Sequence, residues 1–250
     1  MINPSNAPTS RFLHDVGLQP GMRVLDIGCA TGLLTRELAG MVGTNGSLTG
    51  VDSNEERLAE AKNQPAEPEQ ADINYENVDL SENLPDWEPF DAITGRRILM
   101  YLPDAVETVR RLVNFLKPGG MMIFQEHSPM GTPFSAHPIP QHGQAHDWLW
   151  RMIKAEGGTT TMGLDLPRVF EKTKLEVDHY RAEAIMLGSA SGQGIEDLAN
   201  FLVERVVEVG VADRETMQPD TLADRLAEER LQASPIGWDM AYLISGTRSH

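Results

Sequence analysis

A chain of 250 residues at 40% hydrophobic content is long enough to bury a full core and short enough to be one large domain, spanning residues 1–250. Its 37 acidic against 21 basic residues give a formal net charge of −16, with no Lys/Arg run able to track a phosphate backbone, so nucleic acid is excluded as an expected partner. No apolar run approaches the roughly 20 residues of a membrane span, no N-terminal stretch has signal-peptide character, and the one cysteine, Cys29, has neither a disulfide partner nor companions at metal-ligand spacing. A cytoplasmic protein without membrane or metal is expected.

In chain order, a helix around Arg11 precedes "RVLDIGC" (23–29), which predicts a strand, and "LLTRELAGMV" (33–42), with apolar residues at helical spacing. "GSLTGVDSN" (46–54) predicts a second strand ending at an acid, 55–64 a charged helix, the acidic stretch 63–72 a surface loop, and 73–80 a third short strand. "FDAITGR" (90–96) predicts a fourth strand, 105–116 an amphipathic helix, "KPGG" a turn, and "MMIFQEH" (121–127) a fifth strand. This alternation predicts parallel pairing with right-handed crossovers, a doubly wound α/β sheet with helices on both faces. Residues 128–147, with four prolines and three histidines, predict a loop, and a short helix follows from Asp147. A helix over 164–173, a strand over 175–186, two amphipathic helices over 195–209 and 220–232, and a last strand over 238–248 complete the prediction, the late helices forming a cap.

The segment "VLDIGCATGLL" (24–34) puts Asp26, Gly28, Ala30 and Gly32 into seven positions after a strand. In an open parallel sheet, such a loop lies where ligands bind, at the carboxyl ends of the strands. A Walker phosphate loop requires Lys and Ser/Thr where this chain has Leu33 and Leu34. A dinucleotide fingerprint requires a third glycine where Leu33 stands, and Asp26 would set a negative charge near a pyrophosphate, which disfavours an NAD-linked dehydrogenase. An acid before the loop suits a cationic ligand, and Asp52 at the end of the second strand suits a ribose diol; both acids also fit plain helix caps.

"VLDIGCATG" resembles motif I of the class I S-adenosylmethionine-dependent methyltransferases, with Ala30 in place of the middle glycine. "GVDSN" resembles their second motif, "NVDL" the adenine-contacting stretch, and residues 90–126, with "LKPGG", the fourth and fifth strand region; the resemblance covers residues 11–127. It implies a Rossmann-like, seven-stranded, mostly parallel sheet, a cofactor-binding half over 11–127, and a substrate-binding half over 128–250 with a helical lid at about 189–233, inserted before the last strand. It further implies that Asp26 engages the methionine amino group of S-adenosyl-L-methionine and that Gly28, Ala30 and Gly32 admit the cofactor to the main chain. Asp52 would bind the ribose hydroxyls, Ser53 would lie beside the adenine, and Asp79 and Leu80 would read its edge. The Gly95 backbone would meet the methionine end, and Arg11 or Arg96 would pair with the cofactor carboxylate.

Methyl transfer needs an aligned nucleophile, exclusion of water and, for a protonated acceptor, a base. His142, His146 and His127, in that order and ahead of His137, are the candidate bases, with Glu126 and Tyr101 next. Cys29 reads as a buried filler. Trp148 and Trp150, on opposite sides of a helix, predict one ring in the core and one lining a pocket. The expected activity is O-, N- or C-methylation of a small molecule, such as a secondary metabolite. The alternative is a cofactor-binding, methyltransferase-like protein with a non-methylating reaction or a binding role. A homodimer is compatible with either.

Overall fold

A computed structural model describes residues 6–188 and 195–249. In chain order these form α1 (Ala7–Asp15), β1 (Arg23–Ile27), α2 (Leu33–Val42), β2 (Ser47–Asp52), α3 (Glu55–Lys62), β3 (Asp72–Asn77), β4 (Phe90–Arg96), α4 (Ala105–Val113), β5 (Leu116–Ser128) and β6 (Phe134–Ser135). They continue with α5 (Pro140–Ala155), α6 (Met162–Thr173), β7 (Leu175–Leu187), α7 (Glu196–Glu208), α8 (Arg214–Met217), α9 (Pro219–Ala233) and β8 (Ile236–Arg248). Residues 189–194, where the expected lid begins, lie outside the described residues; α7, α8 and α9 do precede the last strand. No described helix is long and apolar enough to cross a membrane.

By internal contact the chain divides into two units. A sheet unit comprises the described residues of 10–126, 163–181 and 242–250, and a helical unit those of 1–9, 127–162 and 182–241.

In the sheet unit the strand order is β3-β2-β1-β4-β5-β8, with β7 paired to β8. The β1–β2, β2–β3, β1–β4 and β4–β5 pairs are parallel. The interior residues of β1, β2 and β4 are buried, as the continuous apolar runs of a sheet covered on both faces require. The amphipathic pattern of α4 buries Ala105, Thr108, Val109 and Leu112, while Asp104 caps the helix by accepting the Glu107 amide hydrogen at 2.9 Å. On one side of the sheet the fully buried rings of Phe124 (β5) and Phe170 (α6) meet edge to face at 6.2 Å. Eight strands are present among the described residues where seven are expected, the addition being the two-residue β6.

The expected KPGG turn lies inside β5, as an irregularity of register. Phe90 pairs with Leu116 and Ala92 already with Met121, so residues 117–120 are looped out, which the left-handed Gly119 (φ 74°) permits.

In the helical unit α5, α7 and α9 pack on one another, and β6 pairs antiparallel with the first residues of β8. The expected loop over 128–147 is corrected: α5 begins at Pro140, whose fixed φ and missing N–H suit the first helical turn. His142 and His146 are therefore helical. Trp148 and Trp150 are both buried, and Trp148 also borders a cleft with Gln144, Arg151 and Val211, so one ring does line a pocket.

Phe170→Ala deletes half of the aromatic pair, and loss of about 3–5 kcal/mol of unfolding free energy is expected. Urea denaturation of the variant against the parent chain measures it.

Candidate active site

From β1 the chain passes outward through β2 to β3, then returns to β4 on the other side of β1. The connections leaving the carboxyl ends of β1 and β4 diverge there and open a crevice. The loop after β1 enters it with three left-handed residues among five, Gly28 (φ 65°), Ala30 (φ 48°) and Gly32 (φ 76°). A Cβ on Gly28 would lie 2.7 Å from the Ile98 side chain, and one on Gly32 would lie 2.3 Å from the Tyr75 hydroxyl, so both positions demand glycine on space as well as conformation. Ala30 carries the strain, and its N–H donates to Asp52 Oδ2 at 2.9 Å; Asp52 Oδ1 accepts from the Asn54 N–H at 2.9 Å.

Gly28, Asp52, Ser53 and Asp79 lie on one cleft, whose apolar walls are Val78, Leu80, Ile98 and Leu102. Asp79 Oδ1 accepts from the Ser81 hydroxyl at 2.6 Å and the Ser81 amide at 2.8 Å, which holds the carboxyl below its ordinary range. Leu80 is buried, and its carbonyl accepts from Arg111 at 2.9 Å. Ile98 and Leu102 escaped the sequence reading, because apolar residues in "RRILMYL" carry no chemical mark; the only signal is their position just after the strand ending at Arg96.

Asp26 does not line this cleft. It is buried beneath the loop, accepting from the Thr35 hydroxyl at 2.7 Å and the Thr94 hydroxyl at 3.2 Å. Burial pushes its carboxyl up to about 6, although the two hydroxyls and the charge of Arg96 pull the other way. Burial likewise lowers the Arg96 guanidinium to about 10, aided by Arg97 and opposed by Asp26. Gly95 sits between Ile27 and Phe124 in register, with no room for a Cβ. Arg11 stands exposed on α1, apart from the cleft's lining.

Glu126 is wholly buried in β5, and its Oε1 accepts from the backbone N–H of Ile98 at 2.9 Å and of Leu99 at 2.7 Å. Burial raises it to about 7 against those hydrogen bonds. It fastens the segment that carries Ile98, which follows the left-handed Arg97 (φ 54°).

The three leading histidines belong to the helical unit. His142 is fully buried, with Nδ1 2.8 Å from Glu229 Oε2, and Glu229 also accepts the backbone N–H of Gln141 and His142. The Trp150 indole N–H donates to His146 Nε2 at 3.1 Å. His127 places Nδ1 3.1 Å from Asp239 Oδ2. His137 is exposed, and Tyr101 is exposed in the sheet unit. Asp239 and Glu229, too, escaped the sequence reading. Among the described residues no group of three His, Cys, Asp or Glu side chains is arranged to hold a metal ion.

An open parallel sheet whose glycine loop meets an acidic strand end at the switch point defines a Rossmann-like protein of the nucleotide-binding kind. The cleft offers apolar walls and carboxylate acceptors, with no Lys or Arg among its lining residues. Residues 18–181 match the family described as a methyltransferase domain, and the chain belongs to that family. It is 38% identical over 125 residues to the ubiquinone biosynthesis O-methyltransferase of Coxiella burnetii, covering 50% of each chain. It is 32% identical over 123 residues to the demethylmenaquinone methyltransferase of Staphylococcus aureus, covering 49% of this chain and 50% of that one. The chain thus spans about half the length of these curated relatives. Among solved structures, an S-adenosylmethionine-dependent methyltransferase from Mesorhizobium loti shares the fold at TM-score 0.55 and 22% identity, with 97% of each chain covered. The [4+2]-cyclase SpnF does so at TM-score 0.56 and 17% identity, covering 97% of this chain and 81% of that one.

Because the folded-state pKa of Asp26 is raised from 3.8 to about 6, its protonated form stabilises the fold below about pH 4, and that contribution is lost as pH rises through about 6. Asp26→Asn removes the dependence. Between about pH 4.5 and 7.5 the parent chain should lose stability relative to Asp26→Asn by about 2 kcal/mol, read by urea denaturation at each pH.

Proposed function

We propose that the protein is an S-adenosylmethionine-dependent methyltransferase acting on a small-molecule acceptor. The observation that carries this reading is the Asp52 carboxylate, set on the cleft beside Gly28 and bonded to the loop amide of Ala30. Each of its oxygens accepts one backbone N–H and has a further lone pair for a ribose hydroxyl. Asp79 and Leu80 read the adenine edge, Ser53 lies beside it, and the apolar walls exclude water from the base. The loop of Gly28, Ala30 and Gly32 admits the cofactor to the main chain, and Gly95 meets its methionine end. Asp26 favours the cationic end from beneath the loop, and Arg96 or Arg11 pairs with the carboxylate. The sulfonium supplies an activated methyl group; what the chain adds is alignment, exclusion of water and proton removal.

Residues 11–127 serve the cofactor and residues 128–250, with the helices up to about 233, serve the acceptor. The names of the two curated relatives, for ubiquinone biosynthesis and for demethylmenaquinone, support a small-molecule acceptor. Since the fold is shared with a [4+2]-cyclase, release of S-adenosylhomocysteine is the readout that separates methyl transfer from a non-methylating use of the same site.

S-adenosylhomocysteine at about 100 times its Kd should add about 2.7 kcal/mol of stability, seen as a rise in melting temperature, with no rise in NAD. No rise with saturating adenosyl ligand overturns the reading.

Asp52→Ala loses charge-assisted hydrogen bonds of about 1.5–3 kcal/mol each. Calorimetry should show affinity for S-adenosylhomocysteine reduced at least tenfold in a chain that still melts cooperatively; unchanged affinity would leave Asp52 as a loop anchor alone.

A further inference from the structure

We propose that Glu126 is the positioning residue of the cofactor cleft: its ionised carboxylate holds the Ile98 and Leu102 walls in place, so that cofactor binding is linked to its ionisation. The inference rests on the methyltransferase reading above. Every group it invokes lies within the sheet unit.

Oε1 of Glu126 accepts the Ile98 N–H at 2.9 Å and the Leu99 N–H at 2.7 Å, reaching from β5 to the segment that follows its neighbour β4. These amides open a single 3-10 turn, Leu99–Tyr101, in which the Tyr101 N–H donates to the Ile98 carbonyl at 3.0 Å and the Leu102 N–H to that of Leu99 at 3.2 Å. Ile98 and Leu102 stand at the two ends of this turn, and both line the cleft with Gly28, Asp52 and Asp79. The Ile98 side chain also fills the gap between the ends of β1 and β4. Its Cδ1 lies 2.7 Å from where a Cβ on Gly28 would stand, and its Cγ2 lies 2.9 Å from where one on Gly95 would. Two glycines make room for one side chain, and one carboxylate fixes the backbone that carries it.

Glu126 is wholly buried, and its Oε2 has no hydrogen-bond partner among the described residues, so one oxygen does all the holding. On protonation the hydrogen goes to Oε2, and Oε1 stays on the amides as a neutral acceptor, about half as strong as a charged one. Burial raises the carboxyl to about 7, although the amides of Leu99, Ile98 and Met100 and the charge of Arg97 pull the other way. Arg97 is the charged side chain that acts on it; Arg96 acts on Asp26, the other carboxyl of the unit that burial raises, to about 6. A ligand that needs the walls in place favours the ionised form and lowers the pKa of Glu126 on binding. Affinity is therefore full above about pH 7 and is lost as pH falls through it, and binding near that pH releases a proton.

The test is calorimetry of the full chain with S-adenosylhomocysteine and with S-adenosylmethionine. From about pH 8 to about pH 6 affinity for S-adenosylhomocysteine should fall about 5- to 10-fold, and titrations near pH 7 in phosphate and in Tris should give enthalpies that differ by the proton released. Glu126→Gln keeps a neutral acceptor for the amides; it should lower affinity at about pH 8 by the same factor and abolish the proton release, any remaining slope being that of Asp26. Ile98→Ala, with Glu126 intact, should bind weakly throughout and lose the same slope, which a carboxylate acting on the ligand by charge alone would leave in place. S-adenosylmethionine has a sulfonium where S-adenosylhomocysteine has a neutral thioether, and it should show the same slope. A slope with S-adenosylmethionine alone, or one kept in full by either variant, overturns the positioning role. Affinity for S-adenosylhomocysteine that stays flat across this range in the parent chain overturns it without any variant. Failure to bind either ligand strikes the methyltransferase reading, and the inference with it.

Discussion

The hydrogen bond from the Ala30 amide to the Asp52 carboxylate holds together the part of the molecule on which the rest of the site depends. In the parallel register Ile27 pairs with Val51, and the Cys29 N–H donates to the Val51 carbonyl at 3.0 Å, so the chain leaves β1 still pinned to β2. Asp52, one residue further on, then meets the loop at Ala30. A left-handed non-glycine residue costs about 1–2 kcal/mol, and a hydrogen bond to a charged acceptor contributes about 1.5–3 kcal/mol. The carboxylate therefore offsets the strain it meets, and the loop holds its shape with alanine where the family more often has glycine. One acid both builds the cradle and faces the cleft, so the loop's geometry and the cleft's acidic wall rest on a single side chain.

Behind the cleft the sheet unit buries two carboxylates, and burial outweighs their hydrogen bonds in both, raising Asp26 to about 6 and Glu126 to about 7. The two differ in what they hold. Asp26 ties a helix to a strand through Thr35 and Thr94, contacts between side chains on neighbouring elements. Glu126 ties backbone: the Ile98 and Leu99 amides converge on one oxygen just after left-handed Arg97. Bonds to an ionised acceptor are roughly twice as strong as neutral ones, so the grip on the Ile98 wall slackens as pH falls through the range where Glu126 takes up its proton.

The first strands of the sheet were legible because their signals are local. A five-residue apolar strand, a glycine loop and an acid at the next strand end all fall within residues 23–54, and each needs only its neighbours in sequence to be recognised. What escaped depends on distance. Nothing near His142 announces Glu229, 87 residues away, and nothing near His127 announces Asp239, 112 residues away. The prolines around 128–147 read as a loop because composition does not distinguish a proline that breaks a helix from one that starts it; Pro140 does the latter. Amphipathic reasoning, which allots a helix one buried face, does place one tryptophan at a cleft, Trp148, but not the burial of both rings, which follows because α5 packs against both α7 and α9.

The two histidine–carboxylate pairs of the helical unit show why pairing alone does not identify a catalytic group. Glu229 accepts from the amides of Gln141 and His142 in the first turn of α5, where unpaired N–H groups and the positive end of the helix dipole favour a carboxylate. Its bond to the His142 ring is a third tie at the same place, fastening α9 to α5, and a ring with no exposure has no surface to offer a substrate. Asp239 caps no helix. Its Oδ2 faces the His127 ring at the end of a strand, and its Oδ1 accepts the adjoining Met240 amide hydrogen at 2.9 Å. A buried carboxylate costs several kcal/mol of desolvation unless its partners compensate, and a cap supplies that compensation from the backbone itself. At Asp239 the compensation comes chiefly from the His127 imidazole, a side chain from another strand, rather than from helix backbone.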